Sequence, residues 1–186
     1  MGFLPKSAKP KAFLNEAGLY DYAVKALGRQ MRSEAELRRL MAARAEPGAR
    51  GASAVAAVVA RLKEMRYLDD RSFAETYARL RQENEKLGQR RVRQALGQRG
   101  VAPEVVSEVI ESRYGQANEE ELARQYLDQK RLPKPEGPKD TARVMRRLVA
   151  AGFSTGTIYK ILRQWNVPDE SLAALDSAEI DEPHGE

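Results

Sequence analysis

Two adjacent aspartates, Asp69 and Asp70, are the residues whose type and spacing most resemble a reactive pair. Paired carboxylates can bind a metal ion or share acid–base catalysis, but both roles require further ligands, a base or a nucleophile. The chain contains no cysteine, and its one histidine, His184, lies in an acidic C-terminal segment. It also lacks the GxxxxGKS/T and GxGxxG loops that bind nucleotide phosphates. The sequence therefore predicts a protein that is not an enzyme, with no catalytic residues, no metal site and no cofactor.

The alternative role for the two aspartates is to begin a helix. At the N-cap, the carboxylate of Asp69 would accept hydrogen bonds from the free N–H groups of the first turn. Asp70 would be the first helical residue, where its negative charge meets the positive end of the helix dipole. Leu68 and Phe73 have the spacing of a hydrophobic staple around such a cap. The predicted structural motif consists of Tyr67, Leu68, Asp69, Asp70 and Phe73.

Basic side chains form the second set with a chemical use, which is to bind a polyanion. The chain has 32 Lys and Arg against 27 Asp and Glu, and five of those acids lie in its last eleven residues. Residues 1–175 therefore hold 32 basic and 22 acidic residues, a net charge of +10. Such a basic body predicts a nucleic acid or an acidic protein as partner, and ordinary solubility charge is the alternative.

The densest basic stretch is 79–99, with seven basic and two acidic residues. On a helix there, Val92 and Leu96 mark the buried side, which directs Arg90 and Arg93 outward and leaves Arg91 lateral. The predicted binding residues are Arg79, Arg81, Lys86, Arg90, Arg91, Arg93, Arg143 and Arg146.

Two features of the sequence limit this set of predicted binding residues. Arg146 and Arg147 precede an apolar position, Leu148, and we expect at most one of them to face fully outward. A solvated face with local ion pairs is the alternative for the basic stretch, because acidic residues including Glu104 and Glu108 form a stripe on the next predicted helix.

The elements that must position these residues are all helical. Strand signals are nearly absent, and apolar residues recur at helical spacing in a chain rich in Ala, Leu, Arg, Glu and Gln. Capping boxes at Ser33 and Asn118, and Pro103 at a first helical position, mark three helix starts. Nine helices are predicted near 19–30, 33–45, 53–66, 70–84, 88–99, 103–113, 119–131, 139–151 and 155–165.

An internal repeat groups these helices into units. A shift of 52 residues aligns seven positions between residues 92–110 and 144–162 without a gap. In both copies an apolar pair precedes a helix-ending glycine, Gly100 or Gly152, and an apolar residue follows it. A partial first copy has Ala45 in place of the glycine. The repeat predicts an all-α fold of three three-helix units in tandem, and a generic pair of helical hairpins is the alternative.

The segment at 149–162, VAAGFSTGTIYKIL, is similar to a DNA-binding helix-turn-helix. Its second helix would present Thr155, Thr157 and Lys160 to DNA, although the same packing unit serves as a scaffold in many proteins. Phe153 is predicted to belong to the core, because it aligns with an apolar position in the other copy of the repeat.

Four stretches resemble the RecX regulatory family. The most specific is YLDDRSFAETYARLR, and GQRRVRQALGQRGV follows it. SEAELRRLM and RVMRRLVAAGF fit the same family in order and spacing, so the resemblance covers residues 19–165.

Three positions depart from the family pattern. Arg66 stands where the family usually has glycine, Ala45-Glu46 replaces a glycine–aromatic turn, and Gln94-Ala95 replaces a glutamate–leucine pair.

The resemblance implies that each three-helix unit is similar to a wingless winged helix, and we expect the units to form an elongated, slightly curved body. The N-terminal extension is expected to be flexible and the acidic tail disordered. The predicted domains are the extension 1–18, repeats 19–68, 69–115 and 118–166, and the tail 167–186.

The resemblance also implies a function. RecX-like proteins bind RecA recombinase filaments on DNA and restrain ATP hydrolysis, filament extension and strand exchange in recombinational repair and the SOS response. The expected protein is a monomeric cytoplasmic regulator whose partner is the filament, with or without direct contact to DNA. No membrane role is expected, because the longest apolar run, 54–60, is too short to span a bilayer. Two alternatives stay open: a helix-turn-helix DNA-binding protein that acts without RecA, and a helical adaptor for another protein.

Overall fold

The computed structural model describes residues 13–168, which fold almost entirely into α-helices. The helices are α1 (Glu16–Arg29), α2 (Glu34–Ala42), α3 (Ala49–Glu64), α4 (Asp70–Glu85), α5 (Gln89–Gln98), α6 (Pro103–Tyr114), α7 (Glu119–Gln129), α8 (Pro138–Ala151) and α9 (Thr155–Gln164). Each matches a predicted helix with ends that agree within four residues, so the all-α prediction is confirmed. The predicted flexible extension 1–18 and disordered tail 167–186 lie mostly outside the described range, at residues 1–12 and 169–186. Of their described residues, Glu16 begins α1 and Val167 is buried.

The chain divides into two compact units, Met1–Phe73 and Ala74–Glu186, and the boundary falls within α4. In the first unit, α1, α2 and α3 contact one another in pairs. In the described part of the second unit, α5 packs on α6 and α8, while α9 packs on α7 and α8. The β pairing among residues 13–168 is limited to an isolated bridge between Leu14 and Ala45.

The core of the first unit comes from the apolar residues at helical spacing. Leu37 and Met41 of α2 are fully buried, as are Leu19 of α1 and Leu62 of α3. Ala45, which replaces the glycine expected from the repeat, is buried and pairs with Leu14, whose N–H donates to the Arg44 carbonyl over 2.8 Å.

In the second unit, the same glycine-containing turn ends a helix in both copies of the repeat. Gly100 and Gly152 have left-handed backbone, with φ of 79° and 89°. The N–H of the next residue, Val101 or Phe153, then donates to a leucine carbonyl one turn back over 3.2 Å. All twelve apolar members of the alignment are buried: Val92, Leu96, Val101, Val106, Val109, Ile110, Val144, Leu148, Phe153, Ile158, Ile161 and Leu162.

Arg66 forms the same helix-ending turn without glycine. It follows α3 and has φ of 57°, in a backbone region that residues other than glycine rarely adopt. The N–H of Tyr67 donates to the Leu62 carbonyl over 2.9 Å, as in the glycine-containing copies. The position where the RecX pattern has glycine therefore keeps its left-handed geometry with an arginine in place.

Asp69 caps α4 as predicted. Its Oδ1 accepts from the backbone N–H groups of Arg71 and Ser72 over 2.8 and 3.2 Å, and Oδ2 accepts from the Ser72 hydroxyl over 3.1 Å. These hydrogen bonds, that from the Ser72 N–H foremost, lower the pKa of Asp69. Leu68 and Phe73, the predicted staple residues, are both buried.

Asp70 makes a tertiary contact that the sequence did not indicate. Its Oδ1 accepts the N–H of Glu34 over 2.7 Å, at the start of α2. The capping box of Ser33 and Glu36 satisfies further donors at the same helix start, over 3.1 and 3.2 Å. Burial raises the pKa of the Asp70 carboxyl. One pair of aspartates thus caps two helices, α4 through Asp69 and α2 through Asp70.

The two aspartates are expected to differ in how they affect stability. Asp69→Ala removes a cap and should lower the free energy of unfolding by about 0.5–2 kcal/mol at pH 7. Asp70→Ala leaves the Glu34 N–H without an acceptor and should cost about 1–3 kcal/mol. Asp70→Asn keeps an amide oxygen for that N–H and should cost less than the alanine variant. If urea unfolding gave the same loss of stability for these two Asp70 variants, the contribution of Asp70 would come from its charge and not from its hydrogen bond.

The pH dependence follows from the opposite pKa shifts. The pKa of Asp69 is lowered, so its contribution is present above the unfolded value of about 3.9 and disappears as the pH falls below it. The pKa of Asp70 is raised, so its contribution is complete below that value and is lost as the pH rises through the folded pKa. When the pH is lowered from 7 to 3, the free energy of unfolding should therefore fall less for Asp69→Ala than for the wild-type chain. For Asp70→Asn it should fall more than for the wild-type chain.

Candidate polyanion-binding cleft

Helix α5 presents its basic residues as its apolar pattern requires. Val92 and Leu96 are fully buried, which fixes the rotation of the helix about its axis. Arg90 and Arg93 are exposed, as predicted, and Arg91 is exposed rather than only lateral.

The N-terminus of α5 abuts the C-terminus of α8 through backbone alone. The N–H of Gly88 donates to the Ala151 carbonyl over 2.9 Å, and the N–H of Arg90 donates to the Gly152 carbonyl over 3.2 Å. A Cβ at Gly88 would lie 2.4 Å from the Gly152 oxygen, and a Cβ at Gly152 would lie 2.2 Å from the Arg91 nitrogen. Both positions therefore need glycine, and the free N–H groups of α5 are satisfied by the free carbonyls of α8.

This junction creates a cleft between the two helices. We define the α5–α8 cleft by its lining residues, Arg90, Arg91, Gln94, Val149, Ala150 and Gly152. Its floor has apolar character, since the Val149 side chain is 43% exposed. Arg146 lies one helical turn before Val149 and Ala150 and so shares their face of α8. One member of the basic group predicted on the eighth helix, Arg146, thus lies on the face of α8 that lines the cleft.

Three of the predicted cations are already neutralised. Arg79 pairs with Glu83 over 3.2 Å, Arg143 pairs with Asp140 over 3.1 Å, and Arg81 pairs with Glu85. Arg81 also lies over the ring of Tyr77, 4.8 Å from its centroid. Lys86 is half-buried and has left-handed backbone, with φ of 57°.

The remaining predicted cations keep their charge available. Within residues 13–168, Arg90, Arg91, Arg93 and Arg146 have no carboxylate at ion-pair distance. Arg91 donates to the Gln94 side chain over 3.3 Å and Arg93 donates to the Ser107 hydroxyl over 3.2 Å, both neutral partners. The acidic stripe on α6 therefore forms no ion pair with these four arginines.

Arg146 and Arg147 are both exposed, and the expectation that at most one of them faces fully outward stays a prediction. The buried residues of α8 explain this result. They span only about a third of the helix circumference, centred on Leu148, which leaves both arginines outside the buried arc. The buried residues are Thr141, Val144, Met145, Leu148 and Ala151.

The polar groups of α9, predicted to face DNA, are largely engaged by α7. Thr157 donates its hydroxyl to Glu119 over 2.6 Å, and the Lys160 ammonium lies 2.5 Å from Glu120. Thr155 alone of the predicted three is exposed without a contact to these acids. The α9 helix therefore uses most of its polar side chains for packing on α7.

Glu120 is the centre of this arrangement. It accepts a hydrogen bond from Lys160 and one from the Gln164 amide, the latter over 2.9 Å, and it pairs with Arg124. These partners, Lys160 foremost, lower the pKa of Glu120 to about 2. The sequence placed Glu119 and Glu120 only at a helix start, so it gave no sign of this contact across 40 residues between Glu120 and Lys160.

Phe153 lies in the core, as predicted, with its ring edge-on to Tyr126 at a centroid distance of 5.7 Å. Tyr67, in the aspartate motif, is held through its backbone N–H, and its side chain is exposed, at 61%.

Two further structural features concern metal ions and membranes. No group of three or more His, Cys, Asp or Glu within residues 13–168 is placed to hold a metal ion. No helix in the same range is both long enough and apolar enough to cross a bilayer.

Comparison with known proteins identifies relatives for most of the chain. Residues 69–110 match the family model described as RecX, second three-helix domain. The regulatory protein RecX of Thermus thermophilus is 36% identical over 152 residues, which cover 80% of this chain and 91% of that protein. The regulatory protein RecX of Deinococcus radiodurans is 31% identical over 165 residues, covering 86% of this chain and 74% of that protein.

Two solved structures share the fold. A crystal structure of regulatory protein RecX superposes with a TM-score of 0.65 at 20% identity, covering 80% of this chain and 71% of that chain. The crystal structure of RecX from Lactobacillus salivarius gives 0.64 at 16% identity, covering 81% of this chain and 96% of that one.

Proposed function

Because this chain belongs to the RecX family of regulatory proteins, we propose that it binds RecA recombinase filaments on DNA and inhibits them. Inhibition would act on filament extension, and ATP hydrolysis and strand exchange would fall as a consequence. The proposed regulator works in the cytoplasm during recombinational repair and the SOS response, as a monomer that needs no cofactor.

The observation that carries this proposal is the set of exposed arginines at the α5–α8 cleft. A nucleoprotein filament offers DNA phosphates and acidic protein groups along a continuous groove, and the guanidinium group binds either kind of oxygen with two parallel hydrogen bonds. Arg90, Arg91 and Arg146 are exposed and have no carboxylate partner within residues 13–168, so binding a filament would break no ion pair of theirs.

A helix-turn-helix protein that reads DNA through α9 is less well supported. Lys160 and Thr157 are held by acids of α7, so two of the three groups that would face DNA are engaged. Freeing Lys160 for a phosphate would leave the Glu120 carboxylate with one cation fewer and a negative charge close to the DNA.

The test is an assay with purified RecA on single-stranded DNA. Adding the protein at or below one copy per RecA protomer should slow ATP hydrolysis and strand exchange. Binding to the assembled filament should also be tighter than binding to the same DNA without RecA. Unchanged rates at a large excess of the protein would refute the proposal, and tighter binding to bare DNA would favour the helix-turn-helix alternative.

A further inference from the structure

Two sets of charge of opposite sign occur in the second unit, one in its described part and one in the sequence that follows. Residues 169–186 contain seven acids and no Lys or Arg. These acids are Asp169, Glu170, Asp176, Glu179, Asp181, Glu182 and Glu186. The second unit carries the arginines of the α5–α8 cleft, which have no carboxylate among residues 13–168.

Several acidic residues of the described part already form ion pairs within the fold. Glu83 binds Arg79 and Arg113, and Glu120 binds Lys160 and Arg124. The carboxylates that could neutralise the cleft arginines within this chain are therefore those that follow residue 168.

The acidic segment also matches the cleft in apolar character. Leu172, Leu175 and Ile180 are interspersed among its acids. The cleft combines cationic side chains with the exposed Val149 on its floor. A peptide that alternates acidic and apolar residues would place carboxylates on the arginines and an aliphatic side chain on Val149, as in interfaces with an apolar centre and a charged rim.

Chain length allows this contact. The described chain ends at Pro168, directly after the buried Val167 that follows α9 in the second unit. The remaining 18 residues can span up to about 60 Å when extended. A compact unit of this size has a radius of gyration of about 12 Å and is about 30 Å across, so the segment can reach any point on the surface of its own unit. Tethering gives it an effective concentration of the order of millimolar.

We propose that residues 169–186 bind the α5–α8 cleft of the same chain and compete there with the polyanionic partner. The inference rests on the cleft being the polyanion-binding surface, as proposed above. Its consequence is a built-in threshold: a single short DNA strand competes poorly with the tethered acids, whereas a filament that contacts many sites together displaces them.

The first experiment compares full-length proteins. A tail-neutral variant carries D169N, E170Q, D176N, E179Q, D181N, E182Q and E186Q, so that its length and apolar residues are kept. We expect it to bind a single-stranded oligonucleotide at least about 10-fold more tightly than the wild-type chain at low salt, with the difference shrinking as salt is added.

A double-mutant cycle separates docking from net charge. The same seven substitutions are made in a chain that also carries Arg90→Glu and Arg146→Glu. If the acidic segment acts by occupying the cleft, tail neutralisation should have little effect in this background. An undiminished 10-fold gain there would overturn the proposal, because it would mean that the tail acts only through the overall charge.

The second measurement needs no polyanion. Backbone amide NMR spectra of the wild-type and tail-neutral chains should differ at Arg90, Arg91 and Val149, and the difference should disappear at high salt. Identical spectra with equal oligonucleotide affinity would overturn tail docking while leaving the filament function intact. Cleft shifts in a protein that binds neither filament nor DNA would support tail docking and refute the proposed function.

Discussion

Reversing the charge of Arg90 and Arg146 together should abolish filament inhibition while leaving the protein folded. Both side chains are exposed, and neither forms an ion pair with another described residue. The double reversal replaces two attractive contacts by two repulsive ones, which at about 1.5 kcal/mol each weakens binding about 100-fold. The salt dependence of the remaining binding should become shallower, because fewer counterions are released.

Stability should change little in this variant. Arg90 lies in the first turn of α5, where a glutamate meets the positive end of the helix dipole. Arg146 is on the solvent side of α8, one turn after Arg143. Surface substitutions of this kind usually change the free energy of unfolding by no more than about 0.5 kcal/mol. A urea unfolding curve for the variant checks that any loss of function is not a loss of fold.

A matched control carries the same change in net charge at the first unit. Lys25→Glu with Arg39→Glu reverses two exposed cations that lie on α1 and α2. This control should inhibit RecA ATP hydrolysis nearly as well as the wild-type chain. Equal weakening by the two double variants would mean that the overall charge of the protein, and not the cleft, determines filament binding.

Gly152→Ala should produce a large loss of stability, because this position combines left-handed backbone with a close backbone contact. The residue has φ of 89°, which costs a side chain about 1–2 kcal/mol. Its Cβ would also lie 2.2 Å from the Arg91 nitrogen, so α5 must move away from α8. Losing the two backbone hydrogen bonds of the junction adds about 1 kcal/mol each. We expect a total loss of about 3–5 kcal/mol, which is a large part of the stability of a typical domain.

Other glycines separate the two causes of this loss. Gly48→Ala tests a positive-φ backbone without steric overlap, since φ is 96° and ψ is −168° there and nothing lies within 4 Å of the added Cβ. Gly88→Ala tests the steric overlap alone, at an ordinary φ of −72°. Gly97→Ala, in open space on α5, should stabilise the protein by about 0.5–1 kcal/mol.

The measurement can be made specific to the second unit. The chain has one tryptophan, Trp165, which follows α9 and is half-buried. Its fluorescence during urea unfolding therefore reports on the unit that contains the junction. If Gly88→Ala, measured in this way, proved no more damaging than Gly97→Ala, the close contact between α5 and α8 would not be a rigid feature of the fold.

The aspartate motif shows how far local reasoning extends. The role of Asp69 was predictable because an N-cap involves only the next three residues and the staple only residues 68 and 73. The role of Asp70 was not, because its partner, the N–H of Glu34, is 36 residues away. The sequence pattern contains no information on which helix start would lie beside this carboxylate.

The basic residues show the same limit at the site. Their number and their exposed side on α5 followed from composition and helical periodicity. Acids one turn away pair with Arg79 and Arg143, whereas Arg90 and Arg146 have no carboxylate at ion-pair distance within residues 13–168. That no acid of a neighbouring helix reaches Arg90 or Arg146 depends on how the helices pack. Lys160 is similar, since its acid lies on α7.

The sequence by itself thus determined the nine helices, the repeated helix-ending glycine, the cap at Asp69 and the basic character of the body. Each of these depends on residues within one or two helical turns, where backbone geometry fixes which side chains are neighbours. The tertiary structure alone decided that Gly88 meets Gly152, that Asp70 caps α2, and that Arg90 and Arg91 of α5 line a cleft against α8. Those contacts depend on how helices distant in sequence pack, and the packing is set by the joint burial of many apolar side chains rather than by any local pattern.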